Sequence, residues 1–199
     1  MPMIIGLTGG IASGKSLVSR TLKGLGMTVV DADVVSHEIL AKDDAVKQEV
    51  EQTFGTEVLN EEGNEVDREK LGGIIFQDPE RRKALEQILH PPIGAELWKR
   101  ARESRDDVVL EIPLLIEIEG HEHVDLVVVA YATRELQIKR LMARDEMSRE
   151  EAVRRVDTQI PLEEKVVNAH YIINNTGSVE ETEEQTLRFY QVIKGKEAL

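Results

Sequence analysis

Residues 9–16 read Gly9-Gly10-Ile11-Ala12-Ser13-Gly14-Lys15-Ser16, a G-x-x-x-x-G-K-S pattern. It constrains the chain more than any other feature. Met3-Ile4-Ile5-Gly6-Leu7 before it is an apolar run suited to a buried parallel strand. Val18, Leu22 and Leu25 after it fall at helical spacing, and Gly24 and Gly26 are stop signals. Glycines at 9, 10 and 14 let backbone N–H groups converge on a polyphosphate without a Cβ in the way. A helix starting near Lys15 turns its positive end toward the same anion. Lys15 can reach the β- and γ-phosphates, and the Ser16 hydroxyl suits a Mg²⁺ ion. An ordinary Gly-rich turn would show the four fixed residues somewhere in a chain this long roughly one time in a hundred. Flanking strand and helix cut that further, so residues 9–16 are read as a nucleotide-phosphate cradle.

The 199 residues suffice for one domain with a sizeable core, with room for an inserted lobe. A formal charge of −13 argues against a general nucleic-acid or anionic-membrane surface, so an anionic ligand must be met by local basic residues. With no cysteine there is no disulfide and no thiolate site. No apolar run approaches spanning length, and the first strand leaves no room for a signal peptide, so the expected compartment is the cytoplasm. Nothing in the sequence points to an obligate protein partner.

Met27–Val30 reads as a second strand ending at Asp31-Ala32-Asp33. Helical patterns follow at 34–41 and 44–54, then a turn at 61–64. Asp67 caps a helix to about residue 76, and Asp78-Pro79 opens another. His90-Pro91-Pro92 is expected to end or kink that helix, with a further one over 93–104. The sheet resumes at Val108–Ile112 and continues with Val124–Ala130. Thr133 caps a helix to about Asp145, Ser148–Glu151 and Ser178–Glu181 are capping boxes, and Tyr171–Ile173 is a last short strand. Strands alternating with helices predict an α/β fold: a parallel sheet between helical layers, with ligands at the carboxyl ends of the strands.

Other candidates carry two readings. Asp31 and Asp33, following a strand, would share a face and could orient a nucleophilic hydroxyl or a metal-bound water; equally, Asp33 could simply cap the next helix. Arg134, Lys139, Arg140, Arg144, Arg149, Arg154 and Arg155 form the densest basic stretch. Most of these suit a solvated surface with pairs such as Glu150–Arg154 and Glu151–Arg155; at least one of Arg140 and Arg144 suits a lid over phosphates. His121 and His123 suit an exposed loop rather than a metal site. His90 is either a packed, hydrogen-bonded side chain or a substrate contact.

The run Ile5–Ser16 with Asp31-Ala32-Asp33, Leu89-His90-Pro91, Ile112-Pro113-Leu114-Leu115, Lys139–Arg144, Gln159, Asn175 and Gly177 resembles the dephospho-CoA kinase family in order across nearly the whole chain. The resemblance implies one P-loop kinase domain: a core at about 1–33, 106–137 and 167–199, a helical CoA-binding insertion at 34–105, and a lid at 138–166. It implies transfer of the ATP γ-phosphoryl group to the ribose 3′-hydroxyl of dephospho-CoA, the last step of coenzyme A synthesis, with Mg²⁺. Asp33 would be the base, with Lys15 and Arg140 on the transferring group and Ser16 on the metal. ATP would lie against Gly10, Ile11, Ala12, Ser13, Gly14, Lys15, Ser16, Leu17, Arg144, Asn175 and Gly177. Thr8, Asp31, His90, Pro113 and Leu114 would face the acceptor. Leu17 stands where the family usually has Thr, and Glu111 where it usually has Asp. A P-loop kinase for another small acceptor is the nearest rival. A GTPase-like switch is the more distant one, and the chain lacks the Asn-Lys-x-Asp and Asp-x-x-Gly signatures that it would need.

Overall fold

A computed structural model describes residues 2–195. Five parallel strands form one sheet: β1 (Ile4–Gly9), β2 (Thr28–Asp31), β3 (Val108–Glu111), β4 (Leu126–Tyr131) and β5 (Tyr171–Asn174), in the order β2-β3-β1-β4-β5. The continuously apolar segments take the interior: β3 is buried at every position and β1 at all but its first. The helices are α1 (Lys15–Gly24), α2 (Ala32–Lys42), α3 (Asp44–Phe54), α4 (Arg68–Gln77), α5 (Pro79–Glu103), α6 (Arg134–Asp145), α7 (Arg149–Val156), α8 (Leu162–Val167) and α9 (Val179–Ile193). None of them is long and apolar enough to cross a membrane.

Packing divides the chain into two compact units, one running to Asp31 and resuming at Glu103, the other Ala32–Arg102. In the first, Ile5 and Leu7 point to one face of the sheet, where they pack with Val18 and Leu22 of α1, Met27, Ile173 and Phe189 of α9. Gly6 and Thr8 point to the other face. There Leu115 and Val124 close on Gly6, and the Thr8 hydroxyl donates to the Pro113 carbonyl at 3.0 Å. Two aspartates tie down the start of β1. Met3 N–H donates to Asp107 at 2.9 Å and Ile4 N–H to Asp125 at 2.7 Å. With Asp125 so engaged, β4 begins at Leu126 and not at Val124.

The second unit is the helical one, α2 to α5, with a lone antiparallel bridge between Leu59 and Val66. Asp43, Asp67 and Asp78 cap α3, α4 and α5 through pairs of backbone N–H groups. Two expectations need correction here. The first concerns α5, which runs unbroken through Pro91 and Pro92. The prolines forgo donors to the carbonyls one turn back. Leu85, Ile88 and Leu89 before them and Leu97 and Ala101 after them are all buried, and burial on both sides keeps the helix from ending at the pair. The second concerns Asp31 and Asp33. Helix α2 starts at Ala32, so Asp31 is the last residue of β2 and Asp33 the second of a helix. The period-two reasoning that put both on one face does not apply, and Asp33 is not the cap residue either. It sits in the first turn, where a carboxylate is favoured by the helix dipole.

Phe189 is fully buried, its ring tilted against Tyr171 at a centroid distance of 4.9 Å. Phe189→Ala should lower the unfolding free energy by about 3–5 kcal/mol in a urea titration. A loss below about 1 kcal/mol, the range of an ordinary surface change, would show that α9 does not anchor the core.

Candidate active site

The phosphate cradle starts where β1 ends, and its shape is set by contacts made from behind. A loop that binds an anion must present N–H groups and hide its carbonyls. Four carbonyls here have protein partners. Gly10 O accepts from Ser13 N–H at 3.1 Å, and Gly14 O from Leu17 N–H at 2.9 Å. Ile11 O accepts from Gln137 Nε2 at 2.7 Å and Ser13 O from Asn175 Nδ2 at 2.8 Å. Gly14 is held at φ +95°, and a Cβ there would overlap the Asn175 amide. Ala12 takes φ +55°, a left-handed geometry that costs an L-residue about 1 kcal/mol or more.

Lys15 opens α1 and its ammonium lies 2.8 Å from Glu111, a carboxylate almost wholly buried at the end of β3. Glu111 is in register with Leu7 on one side and Asp31 on the other, so the P-loop lysine and both acidic residues share the carboxyl edge of the sheet. Ser16, one residue into α1, is exposed, and Leu17 is half-buried with its N–H already bonded to Gly14. Ser13 Oγ is buried and has no hydrogen-bond partner among the described residues.

The structure separates the two arginines that sequence left together. Arg140 Nη2 donates to the Asn175 carbonyl at 2.9 Å, and its Nη1 is buried without a partner among the described residues. Burial pulls the guanidinium below its ordinary value, yet not far enough to discharge an arginine. Arg144 is 59% exposed and pairs with its neighbour Asp145 at 2.7 Å. Three others of the basic stretch make surface pairs beyond those that helix spacing suggests. Arg134 pairs with Asp157, Arg149 with Glu135 and Arg155 with Asp145, linking α6 to α7 and its C-terminal end. Glu151 completes the capping box with Ser148, and those hydrogen bonds, together with the charges of Arg154 and Arg155, hold its carboxyl below the usual value.

Of the residues expected at the acceptor side, Thr8 is fully buried and Pro113 and Leu114 are half-buried at the end of β3. His90 lies in the second unit and is exposed, which removes its packed-core reading. Asn175 is 4% exposed; its side chain also accepts the Thr182 hydroxyl at 2.8 Å, so it faces the protein. Gly177 is exposed, and a Cβ there would overlap the Glu181 carboxylate of the capping box. His121 and His123 lie in a 3-10 turn, and no cluster of His, Cys, Asp or Glu among the described residues could hold a metal by itself.

Two residues escape the sequence reading, Gln137 and Lys165, and a third, Gln159, enters it without a role. Gln137, on the buried face of α6 beside Ile138 and Leu141, was legible as a polar residue out of place. Gln159 was noted only for its resemblance, and its Oε1 accepts Ile11 N–H at 2.8 Å. Lys165 of α8 is fully buried, donating to Pro113 O at 2.8 Å and to the Glu117 carboxylate at 3.0 Å. Desolvation holds its ammonium below the usual lysine value despite the pull of Glu117. A short Leu-Glu-Glu-Lys stretch gave no sign of that burial.

The geometry assigns the two arginines different sensitivities. Arg140→Lys should cut turnover roughly 10- to 100-fold at saturating substrates, because an ammonium cannot reproduce a fork that bonds Asn175 and aims a second nitrogen elsewhere. Arg144→Lys, on a solvated face, should stay near wild type. Equal loss in both would show that Arg140 holds no special place.

Comparison with known proteins bears on the same residues. A family model described as dephospho-CoA kinase matches residues 3–181. A dephospho-CoA kinase of Carboxydothermus hydrogenoformans is 46% identical over 98% of this chain and 96% of its own. The solved dephospho-CoA kinase of Campylobacter jejuni superposes with a TM-score of 0.75 at 33% identity, covering 99% of this chain and all of that one. Shikimate kinase from Acinetobacter baumannii, 19% identical at a TM-score of 0.57 over all of this chain and 97% of its own, shares the fold. The chain belongs to the dephospho-CoA kinase family, the transferases of the final step of coenzyme A biosynthesis.

Proposed function

We propose that this chain transfers the γ-phosphoryl group of ATP to the ribose 3′-hydroxyl of dephospho-CoA, giving CoA and ADP. The observation that carries it is the family match over residues 3–181 on a chain whose P-loop carbonyls are turned into the protein. In this reading the loop N–H groups and the N-terminus of α1 hold the ATP phosphates. Lys15 has three N–H donors; one on Glu111 fixes its position while the others serve the β- and γ-phosphates. Arg140 adds charge to the γ-phosphoryl as it transfers, and its buried Nη1, without a partner among the described residues, supports that role. The 175–177 turn flanks the adenine through its backbone, since the Asn175 side chain is committed elsewhere.

The donor set fits Mg²⁺. That ion keeps several waters and takes few protein ligands beside substrate phosphates, and the exposed Ser16 hydroxyl beside the loop supplies one. Bound there, it would offset phosphate charge. On the acceptor side we place Thr8, Asp31, Pro113 and Leu114 near the reacting sugar and His90 on the dephospho-CoA molecule. The 3′-oxygen bonds to the γ-phosphorus as the bond to the β–γ bridging oxygen breaks. ADP leaves, and the hydroxyl proton passes to the Asp33 carboxylate. The helical unit 32–102 is the part we assign to CoA recognition, and α6–α7 the lid. The substrates are soluble, the chain is strongly acidic, and the cytoplasm is the compartment that fits; no nucleic acid, membrane or obligate protein partner enters the reading.

A coupled ADP-release assay over an acceptor panel tests the substrate. Turnover with dephospho-CoA should exceed that with every nucleoside monophosphate, and parity among them would overturn the assignment. Lys15→Ala should abolish that turnover, and the melting temperature should fall as well, because the almost wholly buried Glu111 carboxylate loses its cation.

Asp33→Asn tests the base. Asn keeps the shape but loses the charge that favours a first-turn position, about 0.3–1 kcal/mol, so melting should shift only slightly. Turnover should fall roughly 10²–10⁴-fold, nearer the lower end because a loose transition state asks more of positioning than of deprotonation. Asp31→Asn should cost less. Wild-type turnover in the Asp33 variant would move the base elsewhere.

A further inference from the structure

Ile11 is bonded on both faces of its peptide units by side chains from outside the loop. Its N–H donates to Gln159 Oε1 at 2.8 Å, and its carbonyl accepts from Gln137 Nε2 at 2.7 Å. The two glutamines lie 126 and 148 positions away, one on α6 and one after α7. Three further features converge on the same point. Gly10 is needed there because a Cβ would overlap the Gln137 amide. The side chains of Ile11 and Ala12 pack on the apolar cluster that α6 and α7 share, Ile138, Leu141, Ala152 and Val156. Ala12, next in the chain, is the loop's left-handed L-residue.

We infer that Gln137 and Gln159 are positioning residues for phosphate binding: together they clamp the Ile11 peptide and hold the apex of the P-loop, with its strained Ala12, in its anion-binding shape. Left to itself an alanine would leave the left-handed region, and the loop carbonyls would swing with it. The clamp prevents this by fixing the preceding residue at both its polar groups. It also makes the α6–α7 segment part of the phosphate site before any ligand arrives, so the segment that covers the phosphates also shapes their cradle. The inference rests on the P-loop being the ATP site.

The test uses the full chain, with inorganic tripolyphosphate as a probe of the cradle alone. Gln159 is half-buried, so Gln159→Met should fold normally. Calorimetry should show tripolyphosphate and ATP both bound about two- to twelvefold more weakly, the worth of one hydrogen bond. KM for ATP should rise by a similar factor, with kcat at saturation and KM for dephospho-CoA unchanged and melting temperature close to wild type. Exchange of the Ile11 amide hydrogen should quicken. Gln137→Met should act in the same direction, and the double variant should lose less than the product of the two, since both grip one residue. If Gln137→Met fails to fold, Gln159→Met carries the test alone. Wild-type tripolyphosphate affinity in Gln159→Met, with Ile11 exchange quickened, would overturn the clamp. Failure of the wild-type chain to bind tripolyphosphate would overturn the phosphate site itself, and the clamp with it.

Discussion

The buried amide of Asn175 is the tie on which the rest of the site depends. It stands at the end of β5, where its N–H continues the sheet by donating to Tyr131 O at 2.8 Å. Its side chain reaches 162 positions back to the Ser13 carbonyl and accepts from Thr182 of α9, and its own carbonyl accepts from Arg140 of α6. A buried amide left unpaired would cost about 1–3 kcal/mol per group, so each of these partners is constrained by the others. Gly14 is the counterpart of this arrangement. The loop passes so close to Asn175 that a methyl group could not be accommodated. Sheet edge, C-terminal helix, P-loop and Arg140 thus meet at one residue.

This tie also answers an electrostatic problem. A chain of net charge −13 must still gather a polyphosphate, and Arg134, Arg149 and Arg155 are already spent on carboxylates that link α6 to α7 and its C-terminal end. Each such exposed pair contributes about 0.2–1 kcal/mol, and together they hold two helices side by side. In the proposed site what is left for the ligand is concentrated: backbone N–H groups, the start of α1, Lys15 and Arg140. Their value rises because they sit where water is partly excluded, which the lowered value of Arg140 reflects.

The features legible in the sequence are those whose partners lie within a few residues. The capping boxes at Ser148 and Ser178 and the caps at Thr133, Asp67 and Asp78 act locally, and each stands where its pattern put it. The misread features depend on distant partners. Helix α2 begins at Ala32 because β2 stays paired with β3 only as far as Asp31 opposite Glu111. The prolines of α5 read as a break because their cost is local, while the burial that outweighs it is spread over two flanks. Arg155 reaches Asp145 on another helix, a partner that no local spacing announces. Nothing near Lys165 or Gln137 in the sequence announces Pro113 or Ile11.

Lys165 shows what such a distant contact achieves. Proline at 113 has no N–H, so its carbonyl is the only backbone polar group it offers, and it takes two donors, Thr8 Oγ1 from β1 and Lys165 Nζ from α8. Removing a lysine from water is costly, and Lys15 nearby adds to the cost, so the Glu117 pair offsets it only in part. A methionine in that place would avoid the cost, but it would leave Pro113 held from β1 alone and the Glu117 carboxylate without its cation. The lysine therefore contributes position more than stability. It fixes the turn after β3 to the segment that follows α7, so the Pro113–Leu114 wall and the residue that grips Ile11 belong to one connected piece of structure.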